Sequence, residues 1–288
     1  MGQPTVVNAG QSIGPELAEK EAHLREVLAG LGGAVVAFSG GVDSTLLLWE
    51  AKEALGERVL AVTASSETYF PEEIVAARDL ATAFGVRFEL IETAELENEE
   101  FAVNPSNRCY YCKQELFGKL AEIARTKGLG SVLDGTNADD LSDHRPGRQA
   151  AAELGVRSPL LEAGLGKADI RALSRAHALP TWDKPALACL ASRFPYGRRI
   201  TRPELKRVAG AEQFLHQLGL GQLRVRNHGD VARIEVAPGD MARLVEARER
   251  VAARLKELGF TYVTMDLGGY RTGSMNETLK GTRKGGSS

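Results

Sequence analysis

Residues 39–44 read SGGVDS, between the apolar run AVVAF and the run TLLLWEA. A short apolar run closed by glycine reads as a strand buried on both faces. The run that follows has helical character. A loop leading from a strand end into a helix N-terminus collects free backbone N–H groups, and the helix dipole points the same way, so the segment is suited to an anion. Glycines let the backbone approach that anion closely. A Walker loop would carry a lysine, and none stands here. The glycines at Gly30, Gly32 and Gly33 precede the strand, which is the wrong order for a dinucleotide fingerprint. A second group with chemical potential is Cys109 and Cys112, in NRCYYCK at the start of a helix, together with Cys189 in PALACLASRFPYG. Three cysteines are too few, and odd in number, for a disulfide framework. They fit a reducing cytoplasm, where free thiols act as ligands or nucleophiles.

The glycine loop resembles the PP-loop motif of the ATP pyrophosphatases, SGGxDS, matched at Ser39, Gly40, Gly41, Asp43 and Ser44. That resemblance implies cleavage of ATP between the α and β phosphates. An acceptor oxygen attacks the α phosphate, giving an adenylate and pyrophosphate, and the loop holds the pyrophosphate. Magnesium would neutralise the charge that builds there. Asp43 is a candidate for its shell, and Asp139 or Asp140 in GTNADD another. This acidic stretch follows a later strand, so it opens at the same sheet edge as the loop. Gly135 in the same turn is assigned to the ATP site. Thr63 and Ser65, at and just past the end of the second strand, are placed to meet adenine or ribose. A capped turn is the plain alternative for GTNADD.

An adenylate can serve amide formation, thiolation or ligation. A lone CxxC is compatible with half a zinc site, a redox pair or an accident. None of the five histidines stands at ligand spacing to the pair. Three inert buried thiols are the plain reading. Three thiolates also suit a [4Fe–4S] cluster whose fourth iron stays open and can carry sulfide.

Beyond single motifs, the chain resembles the LarE family, the pyridinium-3,5-biscarboxylic acid mononucleotide sulfurtransferases. The resemblance runs from about Leu24 to Asn276. It rests on SGGVDS, CYYCK, DGTNADDLSDHRPG, ACLASRFPYG, RVRNHGDVARIE and MDLGGYRTGSMNE. It implies a mononucleotide substrate whose two carboxylates are adenylated in turn and converted to thiocarboxylates for a nickel-pincer cofactor. Some members carry only the cysteine matching Cys189 and give up its sulfur, leaving dehydroalanine. Others add the CxxC pair and use a cluster fed by sulfide or another sulfur donor. All three cysteines are present here, as in the second kind. The implied cofactors are ATP, magnesium and a [4Fe–4S] cluster, and a homo-oligomer is implied as well.

An anionic substrate beside ATP needs cations. Arg224 and Arg226, two apart on an expected strand, point to one face and are assigned to the substrate phosphate. Arg193 and Ser192, just beyond Cys189, are assigned to a carboxylate or phosphate near the sulfur. Arg233 reads as an edge charge, and His228 as a turn residue. Asp143 and Arg145 read as a loop-shaping pair, and Asp266 and Arg271 as a C-terminal wall.

These residues must be held by a doubly wound α/β scaffold. Helices are expected over about Pro15–Ala29, Ser44–Leu55, Pro71 to near Gly85 and Tyr110–Lys127. Strands are expected over Val35–Phe38, Arg58–Thr63, Val86–Ile91 and Ser131–Asp134, with Val156–Leu161 as a candidate fifth. Alternation of this kind argues for a parallel sheet covered on both faces. After about Ile200 the pattern changes. A helix over Arg202–Leu218, a hairpin over Gln222–Val236, a long helix over Asp240–Leu258 and a strand over Thr261–Leu267 form a small α+β domain. The expected domains are therefore 15–200 and 201–276, between flexible tails at 1–14 and 277–288.

Composition narrows the function classes. Apolar residues make up 43% and charged residues 26%, as in an ordinary soluble globular protein. No apolar stretch approaches the roughly 20 residues of a membrane span, and the first residues carry no secretory pattern. A net charge of −2 gives no support to a nucleic-acid partner, which argues against a tRNA thiolation enzyme. An ammonia-using synthetase would not need the cysteines. A non-catalytic ATP-binding module is the rival of a different class, since fold alone does not fix function.

Overall fold

The computed structural model describes residues 13–141, 146–185 and 188–271. By packing, the chain divides into two units. The large unit holds the chain through Glu95 together with Asn107–Leu187. The small unit holds Leu96–Ser106 together with the chain from Ala188 on. The division thus falls before the expected 200, and an eleven-residue stretch of the first half joins the small unit.

The large unit opens with α1 (Pro15–Ala29), β1 (Ala34–Ala37), α2 (Val42–Leu55), β2 (Val59–Ser65), α3 (Pro71–Ala83) and β3 (Arg87–Glu92). The chain then leaves through α4 (Glu99–Ala102), which belongs to the small unit. It returns with α5 (Arg108–Thr126), β4 (Ser131–Leu133), α6 (Gly147–Glu153), α7 (Pro159–Glu162) and α8 (Lys167–Ala176). The sheet order is β3-β2-β1-β4 and every pairing is parallel. Alternation sends Ala34, Val36, Val59 and Ala61 into one core with Leu24, Leu28, Leu46 and Ile170 from the helices. Val35, Leu60 and Val62 go to the opposite core with Leu116, Phe117 and Leu120 of α5. Two apolar faces per strand is the reason the central strands read as continuous hydrophobic runs. At the edge, β3 carries Arg87, Glu89 and Glu92, a charge-blunted edge.

The expected fifth strand is not formed. Arg157 makes a single bridge to Leu133. Pro159 then opens α7, because a proline has no N–H to give a ladder and its φ suits a first helical turn.

The small unit continues with α9 (Arg202–Gln217), β5 (Leu223–His228), β6 (Val231–Val236), α10 (Met241–Glu246), α11 (Arg248–Glu257) and β7 (Tyr262–Met265). β5 and β6 form an antiparallel hairpin around Gly229, which has φ +75° as a tight turn requires. β7 pairs parallel with β6. The expected long helix is broken at Ala247, so α10 and α11 are separate. No helix among the described residues is long and apolar enough to cross a membrane.

Candidate active site

The strand order reverses between β1 and β4, and such a switch point opens a crevice beyond the carboxyl ends of the strands. Both expected loops leave from there. After β1, Ser39 to Gly41 turn into α2. Gly40 has φ +65°, and an added Cβ would sit 3.4 Å from Ala77. Only glycine meets both conditions without strain. Two serines lock the turn. The Ser39 backbone N–H donates to Ser44 Oγ at 3.3 Å, Ser44 Oγ donates to the Gly41 carbonyl at 3.2 Å, and the two hydroxyls lie 3.1 Å apart. Gly41 is the N-cap of α2 and brings no capping side chain to the first-turn N–H groups.

After β4, buried Asp134 accepts hydrogen bonds from Ser158 Oγ at 2.7 Å and Thr136 Oγ1 at 2.8 Å. These fix the turn so that Gly135 presses on the start of α2. A Cβ there would come within 3.2 Å of the Ser44 nitrogen and the Asp43 Cβ. Of the acidic pair that follows, Asp140 is buried and accepts from the Asn137 N–H at 3.1 Å, so it shapes its own turn. Asp139 is exposed and accepts from the Lys167 backbone N–H at 2.7 Å.

Two lysines that the sequence reading did not single out reach this loop. Lys167, the first residue of α8, places its ammonium on both Asp43 oxygens, at 2.8 and 2.6 Å. These side chains are 34% and 25% exposed, and pairs of this kind contribute only about 0–1 kcal/mol. Lys184 donates to the Gly40 carbonyl at 2.8 Å. Burial pushes the Lys184 pKa below its ordinary value, and the nearby Glu73 offsets this only in part. A half-desolvated cation against the glycine loop is disposed to take up an anion.

The proton of the Thr63 hydroxyl is taken up within the protein. Thr63 is buried and donates to the Phe38 carbonyl at 2.6 Å, tying β2 to the residue before the loop. Ser65 ends β2, half-buried, and its carbonyl accepts from the Thr93 N–H at 3.0 Å.

None of the three thiols is fully buried, which departs from the reading of inert core cysteines: Cys109 is exposed, and Cys112 and Cys189 are half-buried. Cys109 and Cys112 lie in the first two turns of α5, three apart and so on neighbouring positions of one face. The Cys112 thiol donates to Glu95 Oε1 at 3.9 Å.

Cys189 leads into a single helical turn, Leu190–Arg193, in the small unit. Arg193 is 1% exposed, and its guanidinium is engaged by the protein itself. Nε and one terminal nitrogen donate to Glu212 at 2.9 and 2.8 Å. The other donates to the carbonyls of Ala188 and Cys189, at 2.5 and 3.0 Å, and to Ser192 Oγ at 2.9 Å. Glu212 also accepts from the Val225 N–H at 2.8 Å. The Cys189 turn is thereby tied to β5.

The hairpin register sets Arg224 opposite Glu235 and Arg226 opposite Arg233, on one face. Arg226 donates to Glu235 at 2.7 Å and to the Ser192 carbonyl at 2.9 Å. Arg224 is buried and lies over the Tyr270 ring, 5.2 Å from its centre. Burial, then the charge of Arg193, pushes its pKa below the ordinary value. Arg193, Arg224 and Arg226 thus gather beside the Cys189 turn, with Glu212 and Glu235 as counter-charges. Asp266 lies near Arg233 and Arg271, at 3.7 and 4.0 Å. Asp143 and Arg145 fall outside the described residues.

The family description "Queuosine biosynthesis protein QueC" matches residues 33–103, which take in β1, the glycine loop, β2 and β3. The pyridinium-3,5-bisthiocarboxylic acid mononucleotide synthase of Lactiplantibacillus plantarum is 41% identical over 264 residues, covering 91% of this chain and 96% of that protein. The chain belongs to the LarE family. Two further relatives of this LarE-family chain are the uncharacterized protein slr1717 of Synechocystis sp., 44% identical over 91% of this chain and 99% of its own length, and the uncharacterized protein MJ0830 of Methanocaldococcus jannaschii, 30% identical over 83% and 90%. Membership places the PP-loop fold and the glycine loop in an enzyme class built around ATP. In this LarE-family chain the sequence signal for Lys167 and Lys184 was weak: each is a single lysine, outside any phosphate-loop pattern, more than 120 positions from the loop it touches.

Proposed function

We propose that the chain is an ATP-dependent sulfurtransferase that converts the two carboxylates of pyridinium-3,5-biscarboxylic acid mononucleotide to thiocarboxylates, for nickel-pincer cofactor synthesis in the cytoplasm. The observation that carries the reading is the glycine loop at the β1/β4 switch point, in a chain 41% identical to a bisthiocarboxylic acid mononucleotide synthase. In the first step a substrate carboxylate oxygen attacks the ATP α phosphorus. The bond to the bridging oxygen breaks and pyrophosphate leaves. Ser39, Gly40, Gly41 and Ser44 are assigned to cradle the phosphates through the loop's remaining backbone N–H groups, the serine hydroxyls and the helix dipole. Gly135 keeps the far wall low. Asp43 and Asp139 are hard oxygen donors of the kind magnesium takes, and we assign them to it.

In the second step sulfide sulfur attacks the acyl carbon and AMP leaves with the carboxyl oxygen, so each carboxylate uses one ATP. We assign Arg224 and Arg226 to the substrate phosphate; their place on one face of β5, with Arg226 bonded to the Ser192 carbonyl of the Cys189 turn, supports this. Ser192 lies in the same turn. Arg193 is assigned to hold the Cys189 turn, because its donors are directed at that backbone.

For the sulfur source, Cys109, Cys112 and Cys189 are soft donors on one exposed and two half-buried residues, the chemistry an iron–sulfur cluster requires. We assign them as ligands of a [4Fe–4S] cluster, which would supply an open iron for exogenous sulfide. The bracing of the Cys189 turn favours one second reading. There the Cys189 thiolate attacks the acyl adenylate, AMP leaves, and loss of the Cα proton breaks the Cβ–S bond to give thiocarboxylate and dehydroalanine. Mass spectrometry of the chain after turnover with ATP, magnesium and substrate decides between them. An intact chain is expected; loss of the mass of one hydrogen sulfide at Cys189 would establish sacrifice. Absence of any pyrophosphate release would overturn the enzyme reading in favour of a nucleotide-binding module.

A further inference from the structure

We infer that Lys167 is the resting counter-ion of the glycine loop, and that its ammonium passes from Asp43 to the phosphates when magnesium–ATP binds. The inference rests on the ATP reading above. Lys167 holds both carboxylates assigned to magnesium, by different atoms. Its ammonium sits on the two Asp43 oxygens and its backbone N–H on Asp139. The backbone contact is part of a fixed frame. Lys167 begins α8, the preceding Gly166 N–H donates to Asp169 at 3.1 Å, and the Leu165 carbonyl accepts from Ala138 at 2.8 Å. The ammonium stands outside that frame, at the end of a four-carbon stem that is partly exposed.

An ammonium on both oxygens of Asp43 and a divalent ion on the same carboxylate repel each other, so the two states exclude one another. The pair is half-exposed, so exchanging it strands no buried charge. A lysine that leaves Asp43 when magnesium arrives remains beside a polyanion, where an ammonium acts as a point-charge phosphate ligand. The loop lacks the lysine a Walker loop carries within itself. Lys167 supplies that charge from α8, and while ATP is absent it keeps Asp43 neutralised.

The consequence is a pair of shifts of opposite sign. In Lys167→Met, manganese used as a magnesium probe and followed by electron paramagnetic resonance without nucleotide should bind roughly fivefold tighter. ATP with magnesium, followed by calorimetry, should bind roughly five- to tenfold more weakly. Lys167→Arg should restore most of the ATP affinity. Lys167→Gln, read the same way, covers the case in which the methionine variant folds poorly. A lysine that only braces the fold would weaken both ligands together, and that result overturns the inference, as does unchanged binding of either ligand. Wild-type protein that binds no ATP at all would instead overturn the nucleotide reading on which the inference stands.

Discussion

The Asp43–Lys167 pair of the large unit joins side chains 25% and 34% exposed, whereas the Arg193–Glu212 pair of the small unit joins side chains that are both 1% exposed. The first lies on a loop built for an anion that comes and goes. The second lies behind the turn that follows a cysteine. Water screens the first pair, so either partner can change company at little cost. The second was desolvated on folding, so each partner depends on the other. A charge pair that must exchange during turnover is left wet; one that must hold a sulfur-bearing backbone still is kept dry.

Substitutions can break that contrast or sharpen it. The largest effect is expected in the dry pair. Glu212→Gln leaves Arg193 buried without its counter-charge, and urea unfolding should report a loss of about 3–5 kcal/mol. The same variant should speed alkylation of Cys189 while leaving Cys109 and Cys112 at their wild-type rates, because Arg193 braces the Cys189 turn. Equal stability losses in Glu212→Gln and Asp43→Asn would erase the distinction. Next comes Gly135→Ala. Its Cβ must push on the Ser44 nitrogen, and overpacking of this kind costs about 1–3 kcal/mol. ATP affinity should fall with it, and wild-type calorimetry would show that the two loops do not meet as described.

Lys184→Met is expected to be milder and to carry a pH signature. Burial lowers the Lys184 pKa in the folded protein. The unfolded chain therefore binds that proton more readily than the folded one, and stability rises with pH between the lowered value and the ordinary 10.5. Comparison of wild-type and Lys184→Met denaturation across the alkaline range should remove that part of the slope. A slope identical in both would show that Lys184 is not its source. The smallest stability change is expected for Asp43→Asn, within about 1 kcal/mol by thermal melting. Its pyrophosphate release should nonetheless be lost, and retention at the wild-type rate would take Asp43 out of the reaction.

The scaffold was largely legible before the structure because its signals are local. Glycines and prolines end or open α1, α2 and α3 where expected, and the parallel strands announce themselves as apolar runs. Local signals also explain the misses. Val156–Leu161 has strand-like apolar content, but Pro159 stops the ladder after one bridge. The break at Ala247 carries no glycine or proline to mark it. At the site, the glycine loop was legible because its chemistry is contiguous. Lys167, Lys184 and the inward turn of Thr63 are products of the tertiary arrangement. Nothing near those residues in sequence distinguishes them from ordinary surface lysines or a strand threonine. Arg193 was noticed for its place beside Cys189. Its task could not be read, since a guanidinium suits a phosphate and a backbone clamp equally well.

The excursion of residues 96–106 has a practical side. Asn104, at φ 57° and fully buried, donates its amide to the Phe194 and Pro195 carbonyls, while Ala102 and Asn104 accept from Ile200 and Gly197. No single scission of the polypeptide therefore releases either unit whole. A truncation ending before Ala188 would strip Phe101 and Asn104 of their surroundings and leave an apolar, half-bonded stub in an otherwise complete nucleotide module. The two halves must be inherited, and engineered, as one piece.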